Sequence, residues 1–521
     1  MTQLTKSIGI VGCGPKGLYA LDSLCEAARG IPAQQFDVHI FEPFAHPGAG
    51  PIYNPDQSDV LLMNFPAHMI DAWTERRGPN LRSWLKCAGT PVTAGTYVPR
   101  ACVGEYLHHC FEVVLSSAPS NIRITVYPVK ISALRPEGGS WLLEPGDISV
   151  DEVLVTTGHQ DWTRRTQKVQ TEAIASPFPV TCALTTDAVP PSTSVACKGF
   201  ALTFIDTMLA LTEGRGGVFT QSAQGYDYQP SGAEPKWIAP YSRSARPMRA
   251  KVDSDRFVPP QSELFWQDHI CIFETEISER SDVSFINTVW PALQHIADAV
   301  LQRPQGSTRT CFDEWRGEVF SAERCRAELS KGYEIAIGVT APDSLWALAE
   351  AWRRCYPALV AWISHQELLS KDAAHFRESA AEMERLAFGP PAQNVGKLLC
   401  LERMGLVSID HLSGDHRCDV TINATIPATG SAELSKPLAG LLHDGHVSVG
   451  SLGGLRVDND AQALTKGGVT SGLSIIGRAT EGSVLGNDTL SRNLHDLPER
   501  WASRVTKAGR VFVPERVELP A

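Results

Sequence analysis

Short apolar runs and helical periods alternate at the start of the chain. Residues 7–12 are apolar and β-branched, which predicts a short buried strand. In residues 16–28 the apolar side chains recur at three- and four-residue spacing, which predicts a helix with one buried face. Residues 36–43 alternate like a second strand and end on an acid. This order predicts a βαβ unit with parallel strands and a right-handed crossover.

The pattern beyond this unit predicts a second strand–turn–helix unit and a separate helical region. Residues 101–118 have a helical pattern, and a change of composition over 162–193 predicts a linker. Residues 194–217 then start the second unit, and 260–405 show helical periods throughout. Within that region we expect a helix capped by an Asp over 343–369, kinked or broken at Pro357. Further strands are predicted within residues 122–136, 139–158, 235–243, 417–429 and 472–480.

Composition and charge narrow the class of protein. The chain has 521 residues, enough for several domains, and a formal net charge of -11, which argues against nucleic acid as a partner. No apolar stretch approaches the ~18 residues of a membrane span, and no signal peptide precedes the first strand. The 13 cysteines include no C-x-x-C pair. We therefore expect a cytoplasmic protein without a membrane or metal site.

A glycine-rich turn follows the first predicted strand. Residues 12–17, Gly-Cys-Gly-Pro-Lys-Gly, match G-x-G-x-x-G and open the first helix. In a dinucleotide site the first glycine allows the tight turn, the second lets a pyrophosphate approach the backbone, and the third lets helix and strand pack closely. Glu42 ends the next strand, where a carboxylate can accept hydrogen bonds from ribose hydroxyls. The alternative is a tight turn beside a solvent-facing Glu42.

The second unit has a degenerate form of the same turn. Gly199 stands at the turn, but Ala201 and Phe204 replace the later glycines. The next predicted strand leads to Arg243 and Arg246, which could hold the 2′-phosphate of NADPH. The alternative is a basic surface loop. Two dinucleotide units predict two cofactors, a bound flavin and a nicotinamide between which hydride passes.

Several stretches resemble one family. They are "IGIVGCGPKGLYALDSL", "VHIFEPFAHPGAGPIYNPDQSDVLLMNFPA", "YVPRACVGEYLHHCFEVVL", "LVTTGHQ" and "GFALTFIDTMLALTEGRGG". They are similar to the FAD/NAD(P)-binding proteins with two dinucleotide folds that are related to class B flavin monooxygenases and amino-acid N-hydroxylases. The resemblance is closest to the nitrosuccinate-forming branch, which oxidises the amine of aspartate. The Baeyer–Villiger fingerprint is absent, because "TTGHQDW" has the wrong spacing.

The motifs and the resemblance together imply a set of cofactor-binding residues. Asn64 would lie near the flavin ring, Gly158 and His159 beside the FAD, and Asn487 in a segment that closes over the flavin. Thr203 and Arg243 would help to hold NADPH. The full set is Gly12, Gly14, Pro15, Gly17, Glu42, Asn64, Gly158, His159, Gly199, Thr203, Arg243, Arg246 and Asn487.

The resemblance also implies an activity. It is that of an FAD-dependent, NADPH-consuming monooxygenase that N-oxygenates a small amine or amino acid through a flavin hydroperoxide, with dioxygen as co-substrate. Aspartate is the first substrate to consider because of the family branch. Two alternatives stay open: an NAD(P)H-dependent flavin oxidoreductase without oxygen insertion, and a non-enzymatic dinucleotide-binding protein. The sequence assigns no catalytic residue and leaves open whether the protein is a homo-oligomer.

The predicted fold class is α/β, with two dinucleotide-binding (Rossmann-like) domains and an α-helical insertion. Residues 1–165 would form the first part of the FAD-binding domain and residues 166–258 the NADP-binding domain. Residues 259–405 would form the helical insertion and substrate region. Residues 406–521 would return to the FAD-binding domain.

Overall fold

The computed structural model describes residues 5–73, 78–93, 95–158, 172–222, 225–279, 283–414 and 417–507. The strands are β1 (Lys6–Val11), β2 (Phe36–Phe41), β3 (Ile122–Tyr127), β4 (Ala133–Glu137), β5 (Ser140–Glu144), β6 (Ile148–Val150), β7 (Glu152–Val155), β8 (Glu172–Ile174), β9 (Ser194–Lys198), β10 (Val218–Ser222), β11 (Gly225–Gln229), β12 (Trp237–Tyr241), β13 (Val420–Asn423), β14 (Gln462–Thr465) and β15 (Gly468–Ile475).

The α-helices are α1 (Pro15–Arg29), α2 (Leu81–Cys87), α3 (Arg100–Ser116), α4 (Val180–Ala183), α5 (Leu202–Leu211), α6 (Glu263–Ser278), α7 (Trp290–Val300), α8 (Ser307–Gly317), α9 (Ala322–Ala336), α10 (Ser344–Ile363), α11 (Ser370–Ala387), α12 (Ala392–Arg403), α13 (Leu438–His443) and α14 (Leu497–Lys507). Short helical turns of other types lie at Ala67–Met69, Glu213–Arg215, Phe285–Val289 and Arg478–Thr480. None of the helices in the described ranges is long and apolar enough to cross a membrane. The cytoplasmic location stays a prediction.

The first sheet contains the predicted βαβ unit. Its strand order is β14-β15-β7-β1-β2-β3, and the neighbouring strands are parallel except for β14 with β15. Both neighbours of β1 run parallel to it, so its last four residues are buried. The strands and the helix predicted from residues 7–43 are confirmed. The carboxyl ends of β1, β2, β7 and β15 consequently lie along one edge of the sheet, where open α/β sheets bind ligands.

The second sheet is also parallel and has the order β12-β9-β13-β8. The predicted α/β class with two parallel sheets is confirmed. One hydrophobic core surrounds the first sheet, and another is shared by the second sheet and the helices between residues 263 and 403. Among the described residues, the helical region therefore shares the core of the second sheet.

Two details differ from the sequence expectations. The helix capped by Asp343 is confirmed as α10, but it continues through Pro357 without a break. The return to the first sheet begins later than expected, because β13 pairs with β9 and β8 in the second sheet. The first strand after residue 406 to join the first sheet is β14. The domain boundaries as a whole stay a prediction.

Candidate functional site

The glycine turn lies at the carboxyl end of β1. Gly12 has φ +86°, and a Cβ atom on it would lie 2.9 Å from the carbonyl oxygen of Thr156, just after β7. A Cβ atom on Gly17 would lie 2.7 Å from the carbonyl oxygen of Gly12, so Gly17 allows α1 to pack against the end of β1. Gly14 has φ -77° and faces the Cα atom of Gly50 at ordinary contact distance. Steric constraints thus fix glycine at positions 12 and 17, whereas at Gly14 the protein itself leaves room for a small side chain.

The start of α1 is open to an anion. Gly14 precedes the helix, Pro15 is its first residue, and neither a side-chain cap nor an acidic residue occupies its first turn. The first backbone N–H groups of a helix lack internal partners, and the helix dipole favours negative charge there. Together with the close-packed glycine turn, this arrangement fits a dinucleotide pyrophosphate.

Glu42 is buried directly after β2 and is not solvent-facing. Its carboxylate accepts hydrogen bonds from the backbone N–H groups of Cys13, at 2.6 Å, and Phe44, at 3.0 Å. Burial raises the pKa of Glu42, and the two N–H groups partly oppose that effect. The carboxylate therefore braces the glycine turn and lies at the sheet edge where a ribose would be recognised.

The end of β7 lies beside this turn. The Thr156 hydroxyl donates a short hydrogen bond to the carbonyl of Gly12. Gly158 is exposed, with φ +59° and open space where a Cβ atom would stand. His159 lies outside the described residues.

The turn after β9 in the second unit resembles the glycine turn after β1, but there is less space around its glycine. Gly199 follows β9 with φ +120°, and a Cβ atom on it would lie 2.6 Å from the carbonyl oxygen of Ala424, after β13. Thr203 is the second residue of α5 and is buried, and Phe204 lies fully in the core. The first turn of α5 has no side-chain cap and no acid, as in α1.

The two candidate arginines have different environments. Arg243 is exposed, two residues after β12. Arg246 is buried; its guanidinium donates to Glu382 from two nitrogens, at 2.7 and 3.1 Å, and to the backbone carbonyls of Arg316 and Glu318. The Arg246 donors are thus engaged within the protein, which favours Arg243 for a phosphate.

Asn64 lies where the first sheet domain meets the helical region. The side-chain amide of Asn64 donates to the backbone carbonyl of Phe388, at 3.3 Å. The backbone carbonyl of Asn64 accepts a short hydrogen bond from the Lys251 ammonium group. Lys251 is buried, with its Nζ atom 3.6 Å from the centre of the Phe65 ring. Burial lowers the pKa of Lys251 to about 7.

The segment after β15 passes the start of α1. Gly477 faces the Lys16 side chain, and Arg478 donates to the carbonyl of Pro427 and pairs with Asp488 at 3.4 Å. Asn487 is fully buried; its amide nitrogen donates to the Thr480 hydroxyl at 2.6 Å, and its Oδ1 atom has no hydrogen-bond partner. An unpaired buried amide oxygen is consistent with a bound group that donates to it.

Sequence reasoning missed several ionisable groups near this junction. Lys251, Glu384, Glu481 and Asp488 come from three distant parts of the chain, and burial raises the pKa of Glu384 to about 7. Of the four, Glu481 and Asp488 lie close to Asn487 in the segment expected to close over the flavin. Nothing in the sequence marked Glu384, because it has the pattern of an ordinary polar position on a helix.

Comparison with known proteins gives a family match in the first part of the chain. Residues 9–160 match a protein-family model described as FAD-NAD(P)-binding. The chain is 29% identical over 322 residues to nitrosuccinic acid synthase of Aspergillus oryzae, covering 56% of this chain and 49% of that protein. It is 29% identical over 347 residues to a nitrosuccinate-forming L-aspartate N-monooxygenase of Streptomyces cremeus, covering 56% and 50%. The match thus spans about half the length of these curated relatives.

One solved structure, that of L-lysine 6-monooxygenase from Pseudomonas syringae, aligns with 97% of this chain and 100% of its own, with 14% sequence identity and a TM-score of 0.43. The family match confirms the expected class of cofactor, FAD with NAD(P), for the segment that holds the glycine turn, Glu42 and β7. The matched residues 9–160 contain most of β1 and all of β2, β3 and β7, which are neighbouring strands of the first sheet.

Proposed function

We propose that the protein is an FAD-dependent, NADPH-consuming monooxygenase that N-oxygenates an amino acid, with L-aspartate as the first substrate to test. The observation that carries this proposal is the similarity to two nitrosuccinate-forming relatives over 56% of the chain. The family match to residues 9–160 and the two parallel sheets support it.

The first sheet edge would hold FAD. The open start of α1, with Gly12, Gly14, Pro15 and Gly17, would receive the pyrophosphate, and Glu42 the adenosine ribose. Asn64, Gly158, His159 and Asn487 are proposed as further contacts, of which Asn487 offers an unpaired oxygen. FAD, when bound, supplies the redox chemistry with NADPH and dioxygen. The residues around it must position the amine and exclude water.

Product analysis tests the proposed function. We expect purified protein supplied with FAD to absorb at ~450 nm, as oxidised flavins do. We also expect NADPH oxidation that depends on L-aspartate and gives an N-oxygenated product by mass spectrometry. The same assay with the other amino acids and with diamines shows which of them are oxygenated. NADPH consumption that yields only hydrogen peroxide with every amine would favour the flavin oxidoreductase and contradict the oxygenase. A protein that stays colourless with excess FAD would contradict both.

The second sheet edge would hold NADPH, with Gly199 and Thr203 at the turn and Arg243 toward the 2′-phosphate. We expect Arg243→Gln to raise the KM for NADPH about tenfold or more, since a hydrogen bond to a charged group contributes about 1.5–3 kcal/mol. The KM for NADH, which lacks that phosphate, should not change. Steady-state kinetics with both nucleotides measures the difference.

The matched control is Arg135→Gln, at an exposed arginine on β4 in the other half of the molecule. It should leave both KM values unchanged. An Arg243→Gln protein with the wild-type preference for NADPH over NADH would show that the arginine belongs to a basic surface loop and does not recognise the phosphate.

A further inference from the structure

Three buried cations lie in the segment that follows β12. Arg246 pairs with Glu382 at 2.7 Å, and Arg249 pairs with Asp343, also at 2.7 Å. Lys251 is buried to a similar degree, with 9% of its surface exposed against 8% and 5% for the two arginines. No aspartate or glutamate in the described part of the chain lies within salt-bridge distance of its ammonium group. Of these three buried cations, Lys251 is therefore the one whose counterion the described residues do not supply.

The ammonium group of Lys251 is held in place but keeps unused hydrogen-bond donors. The backbone N–H of Lys251 donates to the carbonyl of Pro390 at 2.8 Å, and the Nζ atom donates to the backbone carbonyl of Asn64. The Nζ atom also lies 3.6 Å from the centre of the Phe65 ring and 5.9 Å from that of Phe388. Aromatic rings attract a cation, but they do not neutralise it. An ammonium group has three N–H donors, so two remain for an acceptor from outside the described residues.

Packed rings connect Lys251 with the segment proposed to close over the flavin. The Phe388 ring packs against Tyr356 of α10, with the ring centres 5.7 Å apart. A Cβ atom on Gly486 would lie 3.2 Å from the Tyr356 ring, and Gly486 directly precedes Asn487. Phe388 and Tyr356 are both half-buried, so part of each side chain stays accessible in this region. The ammonium group thus contacts one proposed flavin contact directly and is connected to another through two rings.

We propose that Lys251 binds a carboxylate of the amino-acid substrate. This inference rests on the proposed function and adds to it a residue that recognises the acidic group. A buried charge without a counterion is strongly unfavourable, and for Arg246 and Arg249 the protein supplies the counterion from its own chain. A substrate carboxylate would supply the missing anion and accept the unused N–H donors. Because the ammonium group contacts Asn64 and Phe65, the substrate would be bound beside the proposed flavin contact.

The test is calorimetric titration of the oxidised, FAD-loaded protein with L-aspartate in the absence of NADPH. The Lys251→Gln side chain keeps an N–H donor but carries no charge. We expect this variant to raise the Kd for L-aspartate at least about tenfold, because a hydrogen bond between charged groups is lost. Lys251→Met should show the same loss, and Lys251→Arg, which keeps the charge, should recover part of the affinity. Circular dichroism and the flavin absorbance check that each variant is folded and loaded.

The matched control is Lys397→Gln on α12. Lys397 also lies over an aromatic ring, 5.0 Å from the centre of Phe219, but it already pairs with Glu213 at 2.6 Å. This variant should bind L-aspartate with the wild-type Kd. Titration with L-asparagine, which lacks the side-chain carboxylate, identifies the group that Lys251 binds. An equal loss for both ligands in Lys251→Gln assigns the α-carboxylate, and a loss for L-aspartate alone assigns the side-chain carboxylate.

Steady-state kinetics gives a second readout. Lys251→Gln should raise the KM for L-aspartate and leave kcat within about threefold, as expected for an interaction made equally in the ground and transition states. The inference is overturned if Lys251→Gln binds L-aspartate with the wild-type Kd, if Lys397→Gln loses as much affinity, or if kcat falls while KM is unchanged. A wild-type protein that oxygenates no amino acid contradicts the proposed function itself, which product analysis detects independently of the titration.

Discussion

Replacement of Gly14 by alanine is expected to weaken FAD binding by about 10²-fold while the protein still folds. A Cβ atom at this position would lie 3.6 Å from the Cα atom of Gly50, an ordinary contact, and φ of -77° suits any residue. The methyl group would instead keep a pyrophosphate away from the first amides of α1. The loss of two hydrogen bonds to a charged group is worth ~3 kcal/mol, which is about 10²-fold in Kd.

The measurement is FAD titration of the apoprotein, followed by flavin fluorescence, with circular dichroism to check the fold. Gly30→Ala is the matched control, because Gly30 caps the other end of α1 with φ -72° and its Cβ atom would also make an ordinary contact. This variant should bind FAD as the wild-type protein does. If Gly14→Ala binds FAD with the wild-type Kd, the pyrophosphate does not lie at the start of α1.

Replacement of Arg249 by methionine is expected to destabilise the protein by about 3–5 kcal/mol. Arg249 is buried between the second sheet and the helical region, where it bonds to Glu328 on α9 and to Asp343 at the start of α10. Its guanidinium group lowers the pKa of Asp343 against the opposing effect of burial. Methionine keeps much of the side-chain volume but leaves the buried Glu328 carboxylate and the half-buried Asp343 carboxylate with only their more exposed partners, Arg324 and Lys331.

Urea unfolding measures this effect, and Arg316→Met is the control. Arg316 forms an exposed pair with Glu378, and its loss should cost ~0–1 kcal/mol. Because the pKa of Asp343 is depressed in the folded protein, its contribution is present above the unfolded pKa and is lost as the pH falls through the folded value. The difference between wild-type and Arg249→Met proteins should therefore shrink in acid. A loss below ~1 kcal/mol at neutral pH would show that the helical region does not depend on this ion pair.

The local sequence pattern was sufficient to predict the strand and the helix on either side of the glycine turn. The predicted strand, glycine turn and helix of residues 7–28 are confirmed as β1 and α1, because each depends on side chains a few positions apart. The Asp cap of α10 is equally local, since Asp343 accepts a hydrogen bond from the N–H of Trp346. The continuation of α10 through Pro357 cannot be predicted from the local sequence. The helix packs in the large core that it shares with the second sheet, and this packing outweighs the backbone hydrogen bond that Pro357 cannot donate.

Arg246 shows where the same reasoning fails. From the sequence it is a second cation near the end of a strand, and it is the second choice for the phosphate after Arg243. In the fold it turns inward to Glu382, which is 136 positions away along the chain. A pattern of nearby residues contains no information about a partner at that separation, so the sequence could not show that the Arg246 donors are engaged within the protein.

The sequence alone determined the class of the fold, the position of the glycine turn and the expectation of FAD with a nicotinamide cofactor, because strand periodicity and the turn are encoded within about 35 consecutive residues. Only the tertiary structure brought Lys251 to Asn64 and decided which of the two arginines stays accessible. The two contacts join residues 187 and 136 positions apart along the chain, so they depend on how the helical region packs against the two sheets.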